Sequence, residues 1–259
     1  GANGANGANG ANGANGANGA NGAGTAFPVV ASQTAAFGIR HAAGNAPISS
    51  GNVRDEDRAN DAQMGLWSPE VRQWISVNEF LRNYGWQAEP NEIRLRWSGK
   101  TMLTLLRPDN DLLVNQLRFL VDYGDLRADR GAEIIDQMGM FVDHYAPIMG
   151  ITAALMPRLI ELVNLIQVIC SHAVMTPKHH LAIRRPDQLD ARIMPMIPTP
   201  SHGSFPSGHA TQAMAIATIL GFVIDARPNH YPDAKHRKAL LFKQAERIAA
   251  HRTVAGVPY

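Results

Sequence analysis

The sequence predicts an all-α fold, and three observations carry that expectation. Apolar residues recur at helical spacing through most of the chain after residue 67. N-cap residues precede those segments, and glycine or proline follows them. Strand signals are few.

What precedes residue 67 differs. Positions 1–21 are seven copies of Gly-Ala-Asn and 22–24 add Gly-Ala-Gly, which places nine of the 23 glycines in the first 24 residues. Such a tract cannot bury enough apolar area to offset its ordering entropy, and it reads as a flexible tail. Residues 25–66, with the solvated run Arg54-Asp55-Glu56-Asp57-Arg58, read as an irregular arm. The net charge of +2 is spread rather than clustered, which argues against a nucleic-acid partner. A single cysteine, Cys170, excludes a disulfide framework and a Cys-based zinc site; inside an apolar helix face it reads as a buried, inert thiol.

The elements follow in order. Ser68-Pro69-Glu70 is an N-cap, a proline in the first turn and an acid beside the helix dipole, opening a helix with Val71, Trp74, Ile75 and Leu81 on one face and Gly85 as its stop. Residues 87–108 are less periodic; Ile93, Leu95 and Trp97 alternate as a short extended piece would. A second helix carries Leu113, Leu117, Leu120 and Val121 and ends at Gly124. A third runs from about Asp129 through Ile134, Ile135, Met138 and Val142. A fourth spans 157–174 and is expected to close at Thr176-Pro177. Glu161, Asn164, Gln167, Ser171 and His172 interrupt its apolar run, so it reads as an amphipathic core helix rather than a membrane span, and the chain as soluble. No signal peptide is visible.

Six prolines between residues 175 and 206 make that stretch an ordered loop. A fifth helix starts near Pro206 and buries Ala210, Ala213, Met214, Ala217, Leu220 and Ile224. A sixth carries Leu241, Ala245, Ile248 and Arg252 on one face. Trp67, Trp74, Trp86 and Trp97 read as packing residues.

Eight of the ten histidines follow residue 170, and the chemistry concentrates in three clusters there. The first is Lys178-His179-His180-Leu181-Ala182-Ile183-Arg184-Arg185-Pro186; alone, two cations at this spacing are ordinary surface. The adjacent pair His179-His180 makes a poor metal site, because neighbouring residues rarely ligate one ion. The second is Gly203-Ser204-Phe205-Pro206-Ser207-Gly208-His209, leading straight into the fifth helix. A helix N-terminus with a hydroxyl and a glycine suits an oxyanion, since free N–H groups and the dipole both favour negative charge. His209 adds a group that can take or give a proton; a simple helix cap accounts for the same residues equally well. The third is His251-Arg252-Thr253-Val254-Ala255-Gly256-Val257-Pro258-Tyr259, by itself a routine helix end.

Together the three clusters resemble the motifs of the type 2 phosphatidic acid phosphatase superfamily, which includes vanadium-dependent haloperoxidases and non-specific acid phosphatases. The motifs are K-x6-RP, PSGH and SR-x3-G-x-H-x3-D. Lys178…Arg185-Pro186 and Pro206-Ser207-Gly208-His209 match the first two completely; Arg252 and Gly256 match the third, with His251 in place of serine. The resemblance covers about residues 155–259 and is nearest to bacterial haloperoxidase-like members. It implies a helical bundle of that type over 67–259. It also implies a vanadate cofactor, with phosphate competing, held by Lys178, Arg185, Ser207, Gly208 and Arg252, with His209 as the acid–base residue. His202, five residues before Ser207, is similar to a histidine beside the vanadate in algal bromoperoxidases and is a second catalytic candidate. Hydrogen peroxide and halide are then the substrates. The same pocket in an acid phosphatase takes a phosphomonoester. Membrane lipid phosphatases of the superfamily need several spans, which this sequence does not offer.

One position departs from the pattern. The histidine that ligates vanadate, or attacks phosphorus, falls at position 258, where this chain has Pro258. Proline offers neither a ligand nor a nucleophile. The motif's aspartate lies past Tyr259, so the reading at this stage is of a domain cut short at its C-terminus, and a non-catalytic oxyanion-binding or assembly protein is the third alternative. Oligomeric state, including a homo-oligomer, is left open.

Overall fold

The structure, a computed structural model, describes residues 64–139 and 141–259. The Gly-Ala-Asn tract and all but the end of the arm at 25–66 lie outside the described residues.

Helix α1 (Pro69–Asn83) starts where its cap places it: Ser68 Oγ accepts from Val71 N. It runs directly into a three-stranded antiparallel sheet of β1 (Tyr84–Glu89), β2 (Glu92–Trp97) and β3 (Lys100–Leu106) in the order β1-β2-β3. The fold is therefore mostly helical, in line with the all-α expectation, and adds a small sheet where a short extended piece was expected. Ser98 and Gly99 both have positive φ (47° and 79°) and make the tight turn that twists correctly between β2 and β3. Only Ile93 of the alternating positions is fully buried, at 0 % exposure.

Helices α2 (Asn110–Tyr123) and α3 (Arg127–Asp136) follow, joined by a short turn of 3₁₀-helix. The expected third helix is broken. After Asp136 the chain turns through Gln137–Gly139 and restarts as α4 (Val142–Met149). Helix α5 (Pro157–Leu181) runs past its expected end. Pro177 has no N–H for the carbonyl of Ala173, four residues earlier. That carbonyl is taken instead by the Tyr84 hydroxyl at 2.9 Å and Trp86 Nε1 at 3.0 Å, both from β1. The hairpin thus satisfies the group that the proline leaves free, and the last turn of α5 carries Lys178 onward.

Within Pro157–Gln188 an 18-residue stretch has a mean hydropathy of 1.6, so by length and composition alone the segment is apolar enough to cross a membrane. The core helix of a protein that spans no membrane has the same character. The polar side of α5 is turned into the protein. Glu161 pairs with Arg72 of α1 at 2.6 Å, Gln167 accepts from Phe141 N, and Ser171 Oγ accepts from Gln212.

Helices α6 (Gly208–Asp225) and α7 (Ala234–Val254) pack side by side. Ala213, Ala217, Leu220 and Ile224 meet Leu241, Ala245 and Ile248, and Phe141, which precedes α4, joins Tyr145 and Met149 of α4 in the same core. Met214 stays exposed. Of the four tryptophans only Trp86 packs as expected; Trp67, Trp74 and Trp97 are 42 %, 57 % and 40 % exposed. The face proposed for α1 points Trp74 and Leu81 outward because the helix lies on the surface of α5 and buries no residue fully.

Candidate functional site

Lys178 lies in the last turn of α5, buried at 2 % exposure. Its Nζ donates to the carbonyls of Gly203 (2.9 Å) and Ser204 (3.2 Å). Only glycine allows this approach at 203, because a Cβ there would lie 2.5 Å from the Lys178 carbonyl. Burial, and then the neighbouring Arg185, lower the ammonium pKa to about 7.

Arg185 follows α5 at the start of the proline-rich loop and is 4 % exposed. All three of its nitrogens are engaged. Nε donates to the His202 carbonyl at 2.9 Å, Nη1 to the Val257 carbonyl at 2.9 Å, and Nη2 to His202 Nδ1 at 3.0 Å. A guanidinium only donates, so toward Arg185 His202 Nδ1 is an acceptor, and the same nitrogen lies 3.2 Å from the Gly203 carbonyl. Burial lowers the His202 pKa, in keeping with a neutral ring.

Ser207 is the N-cap of α6, its Oγ accepting from Ala210 N at 3.4 Å. The first-turn N–H groups of Gly208 and His209 have no acceptor within the helix. The His209 ring packs on Phe141, with centroids 5.4 Å apart. Its pKa falls to about 3, first through burial and then through Arg252, with Lys178 and Arg185 adding to this and the Gln137 carbonyl opposing it. His209 is therefore neutral at ordinary pH, and an anion bound beside it would raise its basicity.

Arg252 is in the last turn of α7, 2 % exposed. Its Nη2 donates to the Ile134 carbonyl at 2.6 Å and reaches Gln137 Oε1 at 3.4 Å. Its Nε and Nη1 are buried with no partner, as is the hydroxyl of Ser204. Gly256, at φ +79°, turns the chain after α7 so that Val257 and Pro258 come back to the site.

These residues share one cleft of about 330 Å³. Lys178, Arg185, His202, Ser207, Gly208, His209, Arg252 and Pro258 all line it, although they come from two helix ends, a helix start and two loops. Every candidate site residue from the sequence is thus brought together, and position 258 faces the same space. His179 points to solvent, while His180 Nε2 contacts the Glu89 carbonyl at 2.6 Å. Cys170 lies outside the cleft lining, buried, with its thiol pKa raised to about 12 by burial.

Two arginines and a lysine line the cleft with no carboxylate among its lining residues, a donor set that could serve a tetrahedral oxyanion. The donor set fits the sides of such an anion, since the unpaired Arg252 nitrogens and the Ser204 hydroxyl need acceptors that the protein does not supply. Pro258, which lines the same cleft, would offer no ligand to a bound vanadate, so at that position the residues do not fit the cofactor. Sequence reasoning placed Ser204 in the second cluster without giving it a role, and it missed Gln137, which it placed inside a continuous helix. No family model matches the chain, and no curated protein matches it.

Proposed function

We propose that the cleft is the oxyanion site of a protein of the vanadium-dependent haloperoxidase type, taking vanadate, with phosphate as competitor. The fold class of that superfamily is part of the same proposal. The observation that carries it is Arg252: a buried guanidinium with two nitrogens unpaired, in a cleft whose other cations are already braced. Leaving a buried charge without partners costs several kcal/mol unless a ligand supplies them (about 3–5 kcal/mol for a broken pair). Lys178, Arg185 and Arg252 would hold the anion, Ser207 and the Gly208 N–H would close the cradle, and His209 would move a proton at its edge. Bound vanadate would supply the centre at which hydrogen peroxide oxidises halide.

Phosphomonoester hydrolysis is the second reading, and Pro258 weighs more heavily against it. A nucleophile must form and break a bond in every turnover, whereas a ligand to an anion already held on its sides contributes affinity. The test supplies vanadate, hydrogen peroxide and bromide with a phenolic dye, and p-nitrophenyl phosphate in a parallel assay, to the wild-type chain and to Pro258→His. Dye bromination that rises at least about ten-fold in Pro258→His, with little hydrolysis, is expected. Hydrolysis without bromination would replace the first reading with the second. Anion binding with neither activity in either chain would leave a binding protein.

A further inference from the structure

The break between α3 and α4 sits directly beneath Arg252. At the end of α3 the hydrogen bonds tighten: Met138 N bonds to the Ile135 carbonyl and Gly139 N to that of Asp136. In a continuing helix Met138 N would bond to the Ile134 carbonyl. The break frees that carbonyl, and Arg252 Nη2 takes it at 2.6 Å. The acceptor is at the negative end of a helix dipole, which suits a guanidinium.

Gln137 completes the arrangement. It is fully buried, and its carboxamide has one orientation consistent with its neighbours. Nε2 donates to Glu133 Oε1 at 3.0 Å, and Glu133 is in turn fixed by Arg247 at 2.6 Å. Oε1 therefore faces Arg252 Nη2 at 3.4 Å and His251 Nδ1 at 3.1 Å. Its backbone carbonyl acts on His209, raising a pKa that burial lowers. One residue thus reaches both Arg252 and its neighbour His251.

We propose that Gln137 is a positioning residue: with the freed Ile134 carbonyl it holds one edge of the Arg252 guanidinium so that Nε and Nη1 face the cleft. This rests on the oxyanion reading of the cleft. His251, where the superfamily motif has serine, is the third member of the brace. The charged and titratable groups around it are Glu133, Asp136 and Arg130 from α3, His144 from α4, His209 from α6, and Arg247, His251 and Arg252 from α7.

The experiment is a double-mutant cycle read by calorimetric titration of sulfate, a tetrahedral dianion whose charge is constant around neutral pH. Gln137→Met is expected to weaken sulfate binding about ten-fold in the Arg252 chain, the scale of a hydrogen bond to a charged group. In the Arg252→Lys background, where no Nη2 remains to be held, the same change should alter affinity less than about two-fold. Equal losses in both backgrounds, or no loss in either, would overturn the proposal. If Gln137→Met does not fold, Gln137→Glu keeps an acceptor at the same point and carries the test. Its sulfate affinity should fall relative to wild type as the new carboxyl ionises, and a matching pH profile would overturn the proposal. A wild-type chain that binds no sulfate or vanadate would remove the oxyanion reading and this inference together. Wild-type binding with an inert Gln137 removes this inference alone.

Discussion

The two arginines of the cleft are equally buried and do opposite things. Arg185 has every nitrogen bonded to the protein, clamping the 202–203 loop and the Val257 carbonyl. Arg252 is held along one edge only, with Nε and Nη1 unpaired. A buried cation whose donors are satisfied is part of the frame. One whose donors are left open is complementary to something that arrives later. On the proposed function the difference would separate a binding group from the group that shapes the site around it, although both belong to the same motif set.

The largest expected effect falls on Arg252. Arg252→Met removes a charge that has no counter-ion, so its Tm should be unchanged or higher than wild type, while sulfate affinity falls about 100-fold or more. Thermal melts and titrations on the same sample check both. A large loss of stability would place Arg252 in the frame and erase the contrast.

Arg185→Met should show the reverse balance. Two carbonyls and the imidazole of His202 lose their partner, and stability is expected to drop by about 3 kcal/mol in urea unfolding. Anion affinity should fall as a consequence of the displaced loop. An Arg185→Met protein as stable as wild type would show that the three hydrogen bonds contribute nothing.

Lys178 gives the smallest and most diagnostic change, because one proton moves two properties in opposite directions. In the unfolded chain it stays protonated up to about its ordinary pKa of 10.5, and in the fold only below about 7. Between those values the unfolded chain binds more protons, so the stability of the anion-free protein rises with pH across this window. Sulfate affinity falls across the same window as Lys178 loses its charge. Urea midpoints and titrations at pH 6, 7, 8 and 9 check the signs. Lys178→Met should flatten both profiles.

How the site could be read from the sequence follows the same division. Lys178, Arg185, Pro206–His209 and Arg252 are legible because side chains at fixed intervals carry them. Their convergence is not, because it depends on what happens between the clusters. Pro177 reads as a helix stop, yet α5 continues since Tyr84 and Trp86, some 90 residues earlier, take the carbonyl it frees. The run from Asp129 to Val142 reads as one helix by its apolar spacing, and nothing local marks the break at Gln137–Gly139 beyond a single glycine. The sheet was visible only as the alternation at Ile93, Leu95 and Trp97. The Ser98-Gly99 turn was the stronger signal, and its pairing with a following strand settles the hairpin. Local pattern thus identified the charged groups, while long-range hydrogen bonds decided how each one is aimed.

The central claim is that this cleft takes a tetrahedral oxyanion on a prepared arginine. Calorimetric titration of vanadate into the wild-type chain, repeated in the presence of phosphate, tests it most directly. Saturable binding of one vanadate per chain, weakened in proportion to added phosphate, is the expected result. Heats that fail to saturate, or that phosphate leaves unchanged, would contradict it.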